Sequence, residues 1–182
     1  MQTLAMGLDR LSARIDRIAM VLAVAALGIM LGAALWQTVA RYMFNSPPIW
    51  TEELARRAMV WAGMLGASCA FRAGANPMLF PGMLKIRGGT GVVLSLLRAA
   101  GVVVFVGPVL WFCVFAPGMN LARGFLGRSL ERQAEMLGVP MIWFTAAVPV
   151  ALAIILIHML AVLASELAAR NETAPADETS ET

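Results

Sequence analysis

The sequence predicts an all-α integral membrane protein of four transmembrane helices, and three observations carry that prediction. Hydrophobic residues fill 60% of the 182 positions and charged residues only 14%, a balance that water-soluble domains of this length seldom show. Apolar stretches recur at the length of about 18 residues or more that a hydrocarbon core of about 30 Å requires. The charges, 14 Lys and Arg against 11 Asp and Glu for a net +3, gather between those stretches and in the tails. That pattern marks loops and excludes a nucleic-acid-binding patch.

Residues 1–17 place Leu4, Leu8, Leu11, Ile15 and Ile18 three and four apart, with Arg10, Arg14 and Arg17 on other faces. This suits either a cytoplasmic, interfacial amphipathic segment or the frayed start of the first span. The first span is expected over 18–40, between Arg17 and Arg41. A signal peptide has a core of about 7 to 15 apolar residues, so this longer run should remain as an anchor. Gly28 and Gly32 form a GxxxG spacing that lets another helix backbone approach closely.

The second span needs help, because the charge-free run from Ala58 to Phe71 is too short to cross a bilayer alone. Pro47 and Pro48 forbid a helix through that point, Thr51 suits an N-cap, and Glu52 and Glu53 suit a first turn, where the helix dipole favours negative charge. A span over 52–71 follows. The third is expected over 98–121, kinked at Pro108 and Pro117 or ended early near Pro117. The fourth is expected over 136–165, longer than a bilayer needs and bent at Pro149. The Gly- and Pro-rich residues 73–91, with Met78-Leu79-Phe80, suit an interfacial loop or a short surface helix. Residues 166–182, with Glu172, Asp177, Glu178 and Glu181, read as a disordered acidic tail. The expected organisation is therefore an N-terminal segment 1–17, a transmembrane domain 18–165 and a tail 166–182.

Four spans place both termini on one side. Arg10, Arg14, Arg17, Arg72, Lys85, Arg87, Arg98 and Arg170 then share that side, against Arg41, Arg56, Arg57, Arg123, Arg128 and Arg132 opposite. The positive-inside rule makes the termini cytoplasmic.

His158 is the one histidine, which rules out bis-histidine haem ligation within the chain. It reads as a hydrogen-bonded packing residue or as a proton relay. No Asp or Glu interrupts the centre of any expected span, so the chain shows no transport site of its own. There is no phosphate-binding glycine loop, zinc-ligand spacing or nucleophile beside a base, so neither an enzyme nor a cofactor is expected. Cys69 and Cys113, both in apolar segments, read as small buried hydrophobes.

The informative cluster joins the first two spans: Arg41-Tyr42-Met43-Phe44-Asn45, then Trp50-Thr51-Glu52-Glu53-Leu54-Ala55-Arg56-Arg57, then Trp61. Glu52 with Arg56 and Glu53 with Arg57 are four apart with the acid first, the more favourable orientation. At about 100° per residue, Glu53, Arg57 and Trp61 form one stripe, and Glu52 with Arg56 lie roughly opposite. One pair can then meet a partner protein and the other the headgroups. An aromatic belt with snorkelling arginines is the alternative.

Those residues, with Gly66 and Arg72, resemble the signature of the small, DctQ-like membrane subunits of TRAP (tripartite ATP-independent periplasmic) transporters. The resemblance is dense over about residues 36–74. Asn76-Pro77 departs from it, where the family often continues with a histidine and an aliphatic residue. The resemblance implies a multi-pass scaffold in the bacterial inner membrane, without catalytic or cofactor residues. Its partners would be the lipid bilayer, a large membrane subunit holding sodium and substrate sites, and a periplasmic binding protein delivering an organic acid. In such systems the large subunit moves as an elevator against a static part that the small subunit enlarges. The motif residues Arg41, Tyr42, Trp50, Glu52, Glu53, Arg56, Arg57, Trp61 and Arg72 would serve the partner interface or anchoring, and Gly28, Gly32 and Gly66 helix packing. A self-contained oligomeric carrier or channel is the competing reading, with Arg98, Asn120 and His158 as its polar candidates.

Overall fold

A computed structural model describes residues 2–74, 89–115, 119, 121 and 123–173. Their regular secondary structure is helical apart from one isolated bridge pairing Gln133 with Pro140. The helices are α1 (Gln2–Met43), α2 (Ile49–Arg72), α3 (Gly89–Val114), α4 (Phe125–Glu131), α5 (Ile142–Thr145) and α6 (Ala147–Thr173). Asn76, Pro77, Met78 to Phe80, Pro117, Asn120 and residues 174–182 lie outside the described residues.

α1 is one continuous helix of 42 residues, about 63 Å at 1.5 Å per residue. No break separates an interfacial segment from a span, because no Pro or turn signal interrupts residues 2–43 and the same buried face continues through both. That face carries Ser12, Ala19, Ala23, Ala26, Ala33 and Ala40. Four of the alanines recur every seven residues, the period of a seam that keeps facing its neighbour, and their small side chains let α2 approach closely.

Among the described residues no neighbouring helix packs against the expected glycines. A Cβ built on Gly28, Gly32 or Gly66 meets nothing within 4 Å, because alanines, not glycines, occupy the buried side of α1.

Among the described residues, three stretches are long and apolar enough to cross a membrane: Ala5–Met43, Thr90–Val114 and Ile142–Ala168. α2 has 24 residues, enough for about 36 Å, but its charged first turns keep it out of that group.

α1 ends on Asn45 in the left-handed region, φ 52°, which Asn tolerates better than most residues. The Ser46 N–H reaches back to the Ala40 carbonyl at 3.4 Å, satisfying an acceptor of the last turn. Pro47 and Pro48 follow, and α2 starts at Ile49 with Pro48, not Thr51, at its N-cap. Thr51 is fully buried one turn in, donating its hydroxyl to the Pro48 carbonyl at 2.6 Å. The extended backbone of Pro48 (φ −69°, ψ 127°) already provides the entry into the helix, so the start moves three residues upstream.

α3 starts before Arg98, which lies inside the helix, and ends at Val114 rather than near residue 121. Pro108 lies within it. The fourth span begins later than expected. Residues 134–138 form a turn closed by Gly138 N–H to Ala134 O at 2.9 Å, with Gly138 at φ 64°. Helix begins only at Ile142 and is interrupted at Ala146 before α6. Pro149, having no N–H, leaves the Thr145 carbonyl without its helical donor, which accounts for the break there. At the other end α6 runs to Thr173, past the Glu166 boundary expected for a disordered tail. Glu166 is held in the helix by Arg98 at 2.8 Å.

α2 packs most extensively on α1, and both pack on α6. α3 touches only α6 and α4 among the described residues. The apolar centre is Ala19, Ala23, Leu65 and Cys69, with Trp61 and Ile154 against it. This order makes α2 the axis of the bundle and sets a polar cluster at each of its ends.

Candidate functional site

At the N-terminal end of α2 both i, i+4 pairs close, yet they face different surroundings. Arg56 donates to Glu52 at 3.2 Å with both side chains more than 60% exposed. Arg57 donates to Glu53 at 3.1 Å, but these side chains are only 27% and 10% exposed. The difference comes from the segment after α4. The tight turn at 134–138 brings the Met136 N–H to the second Glu53 oxygen at 2.9 Å. Both carboxylate oxygens are therefore bonded, one to a charge on the same helix and one to a backbone group 83 residues away.

The same stripe continues through Arg57, whose guanidinium carbon lies 5.6 Å from the centroid of Phe144, a cation–π distance. Trp61 extends it, donating its indole N–H to the Trp143 carbonyl at 2.9 Å. Thr145 donates to Ser129 at 2.9 Å, and Ser129 donates to the carbonyls of Phe125 and Leu126, so α4 is tied to α5. Gly124 is required at the entry to α4, because a Cβ there would collide with the Val114 carbonyl. Together these bonds fasten the 124–145 segment across the end of α2. An open groove of about 500 Å³ beside them is lined by Glu52, Arg56, Arg132 and Glu135 among others. Tyr42 and Trp50, from the same sequence cluster, remain 81% and 43% exposed.

The cluster at the C-terminal end of α2 was not legible as a unit in the sequence. Arg72 donates to Asp9 at 3.1 Å and to the Ser12 hydroxyl. Ser12, fully buried, also shares a hydrogen bond of 2.7 Å with His158 Nδ1. His158 is fully buried on α6. Cys69 reaches the Asp16 carbonyl at 3.7 Å. His158 Nε2 and Asp16 Oδ1 are buried with no partner among the described residues. Three helices thus meet on the Ser12 hydroxyl.

Of the polar candidates for a self-contained carrier, Arg98 is closed by Glu166 and His158 is bonded to Ser12. Cys69 and Cys113 are free and buried. Among the described residues, no group of His, Cys, Asp and Glu could hold a metal ion.

Residues 30–169 match the family model of tripartite ATP-independent periplasmic transporters, DctQ component. Over 93 residues, 50% of this chain and 54% of its relative, the sequence is 29% identical to the sialic acid TRAP transporter small permease protein SiaQ of Vibrio cholerae. Over 41 residues, 22% of this chain and 7% of the other, it is 49% identical to the sialic acid TRAP transporter permease protein SiaT of Haemophilus influenzae. The chain thus spans about half the length of the small relative and a small part of the larger one. Both relatives are transport proteins, not enzymes. The chain belongs to the DctQ family of TRAP transporter components.

Proposed function

We propose that this chain is the static scaffold subunit of a sodium-coupled TRAP transporter in the bacterial inner membrane. It pairs with a large membrane subunit that moves an organic acid delivered by a periplasmic binding protein. The observation that carries this reading is the distribution of polar groups along α2. Glu53 and Arg72 lie 19 positions apart, about 28 Å along the helix, which matches the thickness of a hydrocarbon core. The stretch between the two clusters holds the apolar centre of the bundle, and α2 carries no Asp, Glu, Lys, Arg or His between Arg57 and Arg72, where an ion pathway would need one. Both relatives are named for sialic acid transport, and sialic acid is an organic acid.

On this reading α2 is the fourth membrane-crossing helix. Its charged first turns sit at one interface beneath the 124–145 segment and Arg72 sits at the other. Four crossings leave both termini in the cytoplasm by the distribution of Lys and Arg. The groove lined by Glu52, Arg56, Arg132 and Glu135 then opens to the periplasm, where the binding protein docks. Cysteines introduced at Asn45 and Glu135 should react with an impermeant thiol reagent from the periplasm; labelling only from the cytoplasm would reverse the topology.

Purification of the chain from its native membrane in mild detergent should bring down one large multi-span protein in fixed ratio, and the chain alone should transport nothing after reconstitution. A homo-oligomer that transports by itself would establish the carrier instead. In the reconstituted complex, Glu53→Ala should reduce uptake or assembly more than Arg170→Ala near the end of α6. Equal effects would remove Glu53 from the working part.

A further inference from the structure

The hub at the C-terminal end of α2 leaves two polar atoms unpaired whose chemistry matches. Ser12 has one proton to give. Its oxygen accepts from Arg72, and the one acceptor that the described residues offer its hydroxyl is His158 Nδ1 at 2.7 Å. Nδ1 therefore presents its lone pair to Ser12, and the proton of the uncharged ring sits on Nε2. Nε2–H is then a donor buried without an acceptor, and Asp16 Oδ1 is an acceptor buried without a donor.

The two belong to one neighbourhood. Ser12 and Asp16 are four positions apart on α1, so they share a face about 6 Å apart along the axis. The Asp16 carboxylate is close enough to act electrostatically on the imidazole that Ser12 holds, and Cys69 keeps the Asp16 turn against α2 by reaching its carbonyl at 3.7 Å. A buried donor or acceptor left unpaired costs about 1 to 3 kcal/mol, so a matched pair of them calls for a role.

We infer that His158 is a proton-operated switch, bonded to Ser12 when uncharged and to Asp16 when charged. The proton taken up adds to the Nδ1 lone pair, the only one the ring has free in this tautomer, and displaces the Ser12 proton from it. Both ring nitrogens are then donors. On the Nδ1 side the Ser12 oxygen faces two cations, Arg72 and the imidazolium. On the Nε2 side Asp16 offers a carboxylate, and a charge-assisted bond is about twice as strong as a neutral one. The ring therefore trades a hydroxyl for a carboxylate one turn along α1, which loosens Ser12, the residue on which three helices meet, and shifts α6 against α1.

The other charges around the ring are already committed. α1, α2, α3 and α5 pack on α6. From α1, Asp9 is paired with Arg72, and from α2, Arg72 holds Asp9 and Ser12 while Cys69 holds the Asp16 carbonyl. From α3, Arg98 is closed on Glu166, about 12 Å along α6 from His158. α5 carries no titratable side chain. Asp9, 56% exposed, joins the hub to water at the end of the bundle proposed above to face the cytoplasm.

His158 is the one histidine, so the isolated full chain, isotope-labelled at histidine in detergent, gives a single imidazole spectrum by NMR. At about pH 8, above the ordinary histidine range, Nε2 should carry the proton and Nδ1 none. At about pH 5 both should, with the Nε2 proton at the low field of a carboxylate bond, a signal lost in Asp16→Asn. In thermal unfolding Asp16→Asn should match the unmodified chain at about pH 8 and fall several degrees below it at about pH 5. His158→Asn keeps an oxygen that accepts from Ser12 and takes up no proton, so in its background Asp16→Asn should make no difference at either pH. A ring proton on Nδ1 and not on Nε2 at about pH 8 overturns the switch. So does Asp16→Asn unfolding with the unmodified chain at both pH values, or an equal acid loss from Asp16→Asn with His158 replaced. Each of these leaves the scaffold reading in place, because no large subunit enters the experiment.

Discussion

The two ends of α2 solve the same problem by different means. Each must hold polar groups next to an apolar bundle, and each joins elements distant in sequence. At the N-terminal end the key bond is between a carboxylate and a backbone N–H: Glu53 accepts from Met136 at 2.9 Å while also accepting from Arg57. At the C-terminal end every inter-helix bond of the cluster to Arg72 or His158 is between side chains: Ser12 meets both, and Asp9 meets Arg72. The first end has both carboxylate oxygens bonded. The second leaves His158 Nε2 and Asp16 Oδ1 without partners among the described residues, while the first leaves only Arg57 Nε. A carboxylate matched to fixed backbone and a neighbouring cation tolerates little change, because removing it strands both donors at once. A hub of side chains can share the loss.

The comparison breaks most directly at Glu53. Glu53→Ala should destabilise the purified chain by about 3 kcal/mol, since it leaves Arg57 poorly solvated and the Met136 N–H unbonded. Glu53→Gln should cost less, about 1 kcal/mol, because one amide oxygen can still accept from Met136. Thermal or denaturant unfolding in mild detergent measures both. If Gln costs as much as Ala, the charge on Glu53 matters and the backbone bond does not.

Ser12→Ala at the other end should cost about 2 kcal/mol. His158 Nδ1 loses its partner, but Arg72 keeps Asp9 at 3.1 Å, which limits the damage. A loss larger than that of Glu53→Ala would invert the comparison and make the side-chain hub the less tolerant end.

How much of this the sequence exposes differs between the two ends for physical reasons. The N-terminal cluster could be read because its members are close in sequence: Glu53, Arg57 and Trp61 follow one helical stripe, and Pro47 and Pro48 mark the break before it. What they touch could not be read, since the Met136 N–H carries no side-chain signature. The C-terminal cluster depends on Ser12 and His158 meeting across 146 positions, which no local period encodes. A hint lay in α1 itself, where Asp9, Ser12 and Asp16 sit opposite the arginines in a helix otherwise bound for lipid. The buried small-residue face of α1 escaped the sequence reading for a related reason. Glycine spacing is the better-known packing signal, but Ala19, Ala26, Ala33 and Ala40 keep a seven-residue period that marks the buried seam. Their high helix propensity disguises it.

The smallest effect belongs to the pair beside Glu53, and it offers the sharpest control. Glu52 and Arg56 have the same residue types, the same spacing and nearly the same distance as Glu53 and Arg57, 3.2 against 3.1 Å. They differ in surroundings: 64% and 63% side-chain exposure against 10% and 27%. Exposed i, i+4 pairs contribute about 0.3 kcal/mol, so Glu52→Ala or Arg56→Ala should barely move the unfolding of the isolated chain. A double-mutant cycle on each pair separates burial from sequence pattern, with coupling near zero expected for Glu52–Arg56 and well above 1 kcal/mol for Glu53–Arg57. Equal couplings would mean that the 124–145 segment adds nothing to the pair it covers, and the contrast between the ends of α2 would then come from helix-local pairing alone.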